Sequence, residues 1–404
     1  APFHIELSEL VLAMRRLSLL LLTWTWVSQA SLIVYVGSTG CDEDDISCHD
    51  SNQPPSELFA YDVLRNGFVV PNPQLHVDVG GLPLWLTVIE SDDLDQKCMF
   101  AALDNHQIRV LQDPGSSLTA FEPIQSLPSG GSTPVFAIPS LDQKFLLVAN
   151  YNSNDDPLGA GVTAFRIKPD CQLTPTSIVK HQGSSVDSSR QLAAHTHGLV
   201  MSSRHNLVYA FDLGMDVIFS YKLSDTGQLQ ELQRTEVLPA SAPRHGMEHP
   251  SLPILYVICE MSRAVLVYQE LDDGRLSLRQ INAIRLEDAD EDSKAAEITM
   301  LASGTTLYAS NRGAKDSSNT VTAFRILDNG HLKEIQQIKA PAYPRGMTLI
   351  HDDSILLVAG QSNSDLAIYR VQSEGTLSEQ YTLHRGLPPQ PAAFAVLQEP
   401  AGEL

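Results

Sequence analysis

Two kinds of apolar stretch alternate along this chain. One kind is almost continuously hydrophobic: LIVYVG from Leu32, CMFAAL from Cys98, FLLVANY from Phe145, LVYAFDL from Leu207, ILYVICE from Ile254, TLYASNR from Thr306 and ILLVAGQ from Ile355. Runs of that length and character suit strands covered on both faces. The other kind alternates apolar and polar residues, as a half-buried strand does: FAYDV from Phe59, QIRVL from Gln107, VTAFRI from Val162, VIFSYKL from Val217, VLVYQEL from Val265, VTAFRIL from Val321 and LAIYRV from Leu366.

Each alternating run leads into a turn: Asn66-Gly67, Pro114-Gly115, Asp170-Cys171, Thr226-Gly227, Asp273-Gly274, Asn329-Gly330 and Glu374-Gly375. The turns follow one another at steps of 48, 56, 56, 47, 56 and 45 residues. That is the spacing of four-stranded propeller blades. Cys171 is the one member of the series that is not glycine. A third run precedes the continuous one in repeats two to seven, near Leu84, Pro134, His197, Arg244, Glu297 and Arg345. The first repeat lacks it, but PAAFAVL from Pro391 to Leu397 can supply it. The pattern therefore predicts an all-β, seven-bladed propeller over residues 31–404, closed by pairing of the C-terminal strand with the N-terminal blade, which removes the free sheet edge.

The N-terminus reads differently. Met14-Arg15-Arg16, an apolar stretch from Leu17 to Val27 and Ser28-Gln29-Ala30 follow the order of a secretory signal, and the stretch is too short to span a bilayer. Residues 1–30 are expected to be an upstream segment with a signal peptide. This points to the secretory pathway or the exterior, with the cytoplasm as the alternative. Cys41 and Cys48 bracket an acidic loop and could close a small disulfide, whereas Cys98 and Cys259 sit in apolar runs as expected buried thiols. With 27 basic against 48 acidic residues among 404, the formal net charge is −21. That balance argues against nucleic acid and anionic membrane surfaces as partners.

In a propeller the innermost strands line the channel, so equivalent positions form rings. His197, Arg244, Glu297 and Arg345 open the innermost strands of four blades, with Leu84 and Pro134 at the corresponding places in two others. The following strands end at Asp212, Glu260, Arg312 and Gln361, with Asn150 as the counterpart in the third blade. Such groups are costly to bury unpaired, so they predict a wet pocket. Arginines and a histidine around one mouth predict an anionic ligand. Ion pairs of Arg244 with Glu260, or Arg312 with Glu297, are the structural alternative. His195, His205, His245 and His249 read as turn or surface residues.

The segments HTHGLV with FDLGMD, APRHGMEHPSLPILYVICE, AAEIT with LYASNRG, and YPRGM resemble the lactonase family of seven-bladed propellers. That family includes 6-phosphogluconolactonases and fungal carboxy-muconate lactonising enzymes. The resemblance places the family's site residues on His197, Arg244, Glu260 and Arg312, matches Arg345 and Glu297 to further family elements, and calls for no metal or other cofactor. It implies a metal-independent lactonase acting on a small anionic sugar-acid lactone such as 6-phosphogluconolactone, and the protein is expected to be a monomer. In this scheme Arg244 and Arg312 hold the anion, His197 or Glu260 activates water, and Arg345, Glu297, Asn150 and Asp212 bind substrate. The alternatives are a muconate lactonising enzyme, a non-catalytic protein-binding propeller, and a Ca²⁺-dependent lactonase using Asn150, Asn311 and Asp212.

Overall fold

A computed structural model describes residues 31–38, 56–115, 120–151, 156–284, 288–379 and 381–398. The strands form seven antiparallel sheets. Blade four is representative, running outward from Thr196–Ser202 through Leu207–Asp212 and Val217–Leu223 to Leu229–Glu236. The other innermost strands are Pro83–Ile89, Pro134–Pro139, Pro243–Glu248, Lys294–Met300, Pro344–Ile350 and, in blade one, Pro391–Gln398. Each packs beside the next, and the ring closes. As the sequence predicts, Pro391–Gln398 pairs antiparallel with Ser31–Ser38, placing Val34 opposite Val396 and Tyr35 opposite Ala395. The signal segment and the Cys41 to Cys48 disulfide expected from the sequence lie outside the described residues.

The second strands read as continuous apolar runs because each lies between two neighbouring blades. In Leu207–Asp212, Val208 and Ala210 join a buried cluster with Leu147 and Val162 of blade three. Tyr209 and Phe211, on the opposite face, pack with Leu255 and Val257 of blade five. The same division recurs at every junction, including the one between blades seven and one, where Ile355 and Leu357 meet Val34 and Val36. Burying a side chain of this size stabilises the fold by about 1.5–3 kcal/mol, so the core is distributed over seven interfaces.

Most of the recurring turn glycines have a packing cause, Gly115 being the exception. Gly227 and Gly330 take φ of +81° and +79°, and a Cβ there would lie 2.4 Å from Phe145 and 2.5 Å from Ile254 of the preceding blade. At the exceptional turn Cys171 adopts φ of +65°. Its side chain is bonded to Cys98, which stands at the start of the second strand of blade two as Phe145 and Ile254 do in theirs; the Cα atoms are 5.5 Å apart. Where the Gly227 and Gly330 turns need a missing side chain, this one uses a covalent cross-link between blades. Cys98 is therefore not the buried thiol its apolar run suggests, whereas Cys259 is a buried free thiol.

Candidate active site

Every innermost strand carries a bulge near its N-terminal end. In blade four Thr196 pairs with Asp212 and Gly198 with Phe211, leaving His197 unpaired. The same interruption singles out Arg244 in blade five, Arg345 in blade seven, Ala392 in blade one, Leu84 in blade two and Val135 in blade three. In blade six Ala295 and Ile298 bracket a two-residue bulge that contains Glu297. A bulge re-aims the side chain it displaces. All seven of these residues line one pocket at the channel mouth, with Trp85 and His245. The ring is split as the sequence indicates, except that Val135 and not Pro134 represents blade three.

His197 is buried, with Tyr151 edge-on to its ring at a centroid distance of 5.6 Å. Its Nδ1 lies 3.1 Å from Nε2 of His245, whose Nδ1 lies 2.8 Å from Oε1 of Glu297. Gly198 makes this possible, because a Cβ there would stand 2.8 Å from Cδ2 of His245. Burial, reinforced by the nearby Arg244, His245, Arg345 and Arg190, holds the His197 imidazole well below the usual histidine range, so it is neutral at physiological pH. Burial also lowers His245, against the opposing pull of Glu297. His245 thus belongs to the site and is not the turn or surface residue expected.

Glu260 is fully buried at the centre of a cationic cluster. Arg190 donates to its Oε1 from Nη2 at 2.8 Å and from Nε at 3.1 Å, while Arg244 Nε and Arg312 Nη2 each lie 3.4 Å from Oε2. Burial alone would raise this carboxyl, but Arg190, Arg312, Lys294 and Arg244 overcome it and hold the group far below the carboxylate range. Arg244 is pushed down to about 10, chiefly by burial and then by Arg312, and stays charged at neutral pH. Its Nη1 donates to the Ala296 carbonyl at 2.5 Å. Arg312 also sits over the Tyr343 ring at 4.9 Å. Of the two ion pairs considered from sequence, Arg244 with Glu260 is present, whereas Arg312 joins Glu260 and Glu297 joins His245. Neither Glu260 nor Arg312 is among the residues lining the pocket, which are joined instead by Arg345.

Arg190 escapes a repeat-based reading because it lies in the loop before blade four, outside any repeated register. A turn built on Asp187, whose Oδ1 accepts from the Ser189 and Arg190 amides, positions it. Asp212 and Asn150 are placed elsewhere. Asp212 accepts from the His195 amide at 2.8 Å and lies 2.7 Å from His181 Nδ1, bracing blade four. Asn150 donates to Thr163 Oγ1 at 3.2 Å within blade three, and Asn311 donates to the Ser318 carbonyl at 2.7 Å. Neither Asp212 nor Asn150 lines the pocket, correcting their expected role in substrate binding. Among the described residues no three His, Cys, Asp or Glu side chains are placed to share a metal ion.

The sequence matches the family described as lactonase, 7-bladed β-propeller, over residues 61–386. The chain belongs to this lactonase family. It is 26% identical over 249 residues to a 6-phosphogluconolactonase of Bacillus subtilis, covering 60% of this chain and 68% of that one. With a 6-phosphogluconolactonase of Formosa agariphila the identity is 30% over 250 residues, covering 60% and 67%. The fold also superposes on the periplasmic gluconolactonase of Pseudomonas aeruginosa with a TM-score of 0.80, at 20% identity and over 92% of this chain and 100% of that one. The family match takes in every pocket residue except Ala392.

Proposed function

We propose that this lactonase-family protein hydrolyses a sugar-acid lactone bearing negative charge, with 6-phosphogluconolactone the leading candidate. The observation that carries this reading is the buried His197 sharing one pocket with the guanidinium groups of Arg244 and Arg345. The names of the curated relatives support the substrate class. His197 takes a proton from water as the water oxygen bonds to the lactone carbonyl carbon. Arg244 and Arg345 stabilise the charge that develops on the carbonyl oxygen, a contribution of about 2.7–4 kcal/mol per well-placed donor. The ring C–O bond then breaks, and the proton held by His197 passes to the departing alkoxide, giving the open acid. Glu260, locked by three arginines as a permanent anion, is a poor proton acceptor. Its role is to hold Arg190, Arg244 and Arg312 together. His197 is thus the base of the two candidates.

A panel of phosphorylated and unphosphorylated aldonolactones and carboxy-muconates, assayed with wild-type protein and His197→Ala before and after exhaustive chelation, tests this reading. Turnover of a lactone that survives chelation and is lost in the variant is expected. Cyclisation of a muconate without lactone hydrolysis would replace it with the lactonising enzyme.

We also infer an oxidising compartment, in keeping with the signal-like segment at residues 1–30. The support is the Cys98 to Cys171 cross-link, since structural disulfides persist mainly outside reducing compartments. Intact mass of the natively produced protein after thiol alkylation under denaturing, non-reducing conditions checks this. Labelling at both residues would place it in the cytoplasm.

A further inference from the structure

Standing alone, His197 would be a weak proton acceptor, because burial and the neighbouring Arg244, Arg345 and Arg190 all disfavour its imidazolium. The residues behind it supply what it lacks. We propose that Glu297 and His245 are positioning residues that set the tautomer of His197, leaving its Nε2 with a free lone pair, and that place the positive charge of its protonated form against the Glu297 carboxylate. This rests on the lactonase reading above, which it deepens.

The inference follows from counting donors. Glu297 Oε1 accepts from the Ile298 amide at 3.0 Å and faces His245 Nδ1 at 2.8 Å. A carboxylate can only accept, so His245 carries its hydrogen on Nδ1. Its Nε2 is then an acceptor, and the facing Nδ1 of His197 at 3.1 Å must be the donor. That leaves Nε2 of His197 as the basic nitrogen. Arg244 Nη1 lies 3.2 Å from His245 Nδ1, where the hydrogen already on that nitrogen makes it a charge contact and not a hydrogen bond, and 3.5 Å from His245 Nε2, farther than the 3.1 Å of His197 Nδ1. The rings of Phe136 and Trp85, at centroid distances of 4.7 and 5.6 Å, pack against His245 and limit its rotation. When His197 gains a proton from water at Nε2, the hydrogen on its Nδ1 can shift to His245 Nε2. This restores a neutral His197 and forms an imidazolium against Glu297. No other reactant is required.

Glu297→Gln tests the proposal, since an amide keeps the size but can donate as well as accept. Loss of the acceptor behind a comparable histidine lowers kcat by roughly 10⁴-fold where the wrong tautomer results. Here a fall in kcat of about 10²- to 10⁴-fold is expected, with KM within about threefold and an unchanged Tm. The acid limb of the kcat profile should move to lower pH, because removing the Glu297 charge leaves His197 facing Arg244, Arg345, Arg190, Tyr151 and a neutral His245. ¹⁵N-histidine NMR reads the tautomer directly and independently of turnover. Wild-type protein should show His197 protonated at Nδ1 alone, and Glu297→Gln a mixture. Should Glu297→Gln not fold, Glu297→Asp, which retains the acceptor, should keep the Nδ1–H tautomer, and His245→Gln should lose it. A His197 carrying its hydrogen on Nε2 in wild-type protein, or a Glu297→Gln variant with unaltered kcat and spectrum, would overturn the relay. The expected NMR behaviour in a protein that opens no lactone would uphold the tautomer assignment and remove the lactonase reading instead.

Discussion

The two sides of the channel mouth are built by one device and filled with opposite chemistry. Blades four to seven present His197, Arg244, Glu297 and Arg345 from their bulges, whereas blades one to three present Ala392, Leu84 and Val135. A bulge therefore carries no chemistry of its own. It delivers a side chain to a fixed place, and substitution there changes the pocket without changing the sheet. The supporting contacts differ as well. The junction between the apolar blades two and three is held by the disulfide, while on the polar side Tyr209, Tyr256 and Tyr308 donate to the carbonyls of the turn residues Gly274, Gly330 and Gly375 in the following blade.

The sharpest way to break this contrast is at its most reactive member. His197→Ala should reduce kcat by roughly 10²- to 10⁴-fold, the range for a lost general base, while leaving Tm unchanged; steady-state kinetics and calorimetry together check it. Arg345→Ala should follow, lowering kcat/KM by about 10²- to 10³-fold if it faces the developing charge. Arg345→Lys should recover little, because an ammonium does not reproduce the guanidinium fork. On the apolar side Leu84→Ala and Val135→Ala are expected to change kcat/KM by less than about tenfold, the range associated with trimming an apolar contact. Losses there as large as those at Arg345 would end the distinction between the two sides.

The smallest effect is one of pH. Because His197 is held low, activity should persist below about pH 6.5, the ordinary histidine value, and fall only on further acidification. Stability has the same sign. Above that pH the imidazoles of His197 and His245 are neutral both folded and unfolded, and contribute no slope. Below it the unfolded chain takes up protons that the buried rings refuse, so Tm should decline as the pH falls. A Tm that rises on acidification over that interval would contradict the buried neutral state.

The propeller was legible because its second strands are buried on both faces and because turns such as those at Gly227, Gly274, Gly330 and Gly375 would collide with the preceding blade if the residue carried a side chain. Both constraints write themselves into residue type at a fixed period. The charged half of the pocket was legible for a related reason, since His197, Arg244, Glu297 and Arg345 occupy one repeated position. His245 was not, because a one-residue bulge at Arg244 brings the residue after it to the pocket as well, and nothing in the alternation marks that shift. Arg190 lies in a loop that no other blade repeats. The partner of Cys98 could not be read from spacing, since it stands 73 residues away, in the next blade. Asp212 and Asn150 show the converse: a polar residue at a repeated strand end can brace its own blade.

The pairing of Ser31–Ser38 with Pro391–Gln398 also has a consequence for biosynthesis. Synthesis runs from the N-terminus, so the first of these strands waits while the six blades between them are made. Closing a loop of that length costs only about 5 kcal/mol in chain entropy, so the delay is a matter of time more than of equilibrium. Throughout that interval Ser31–Ser38 offers an open hydrogen-bonding edge to any other extended chain nearby. Newly made chains are thus most exposed to mispairing, and most dependent on chaperones, until the final strand is released and the seam closes.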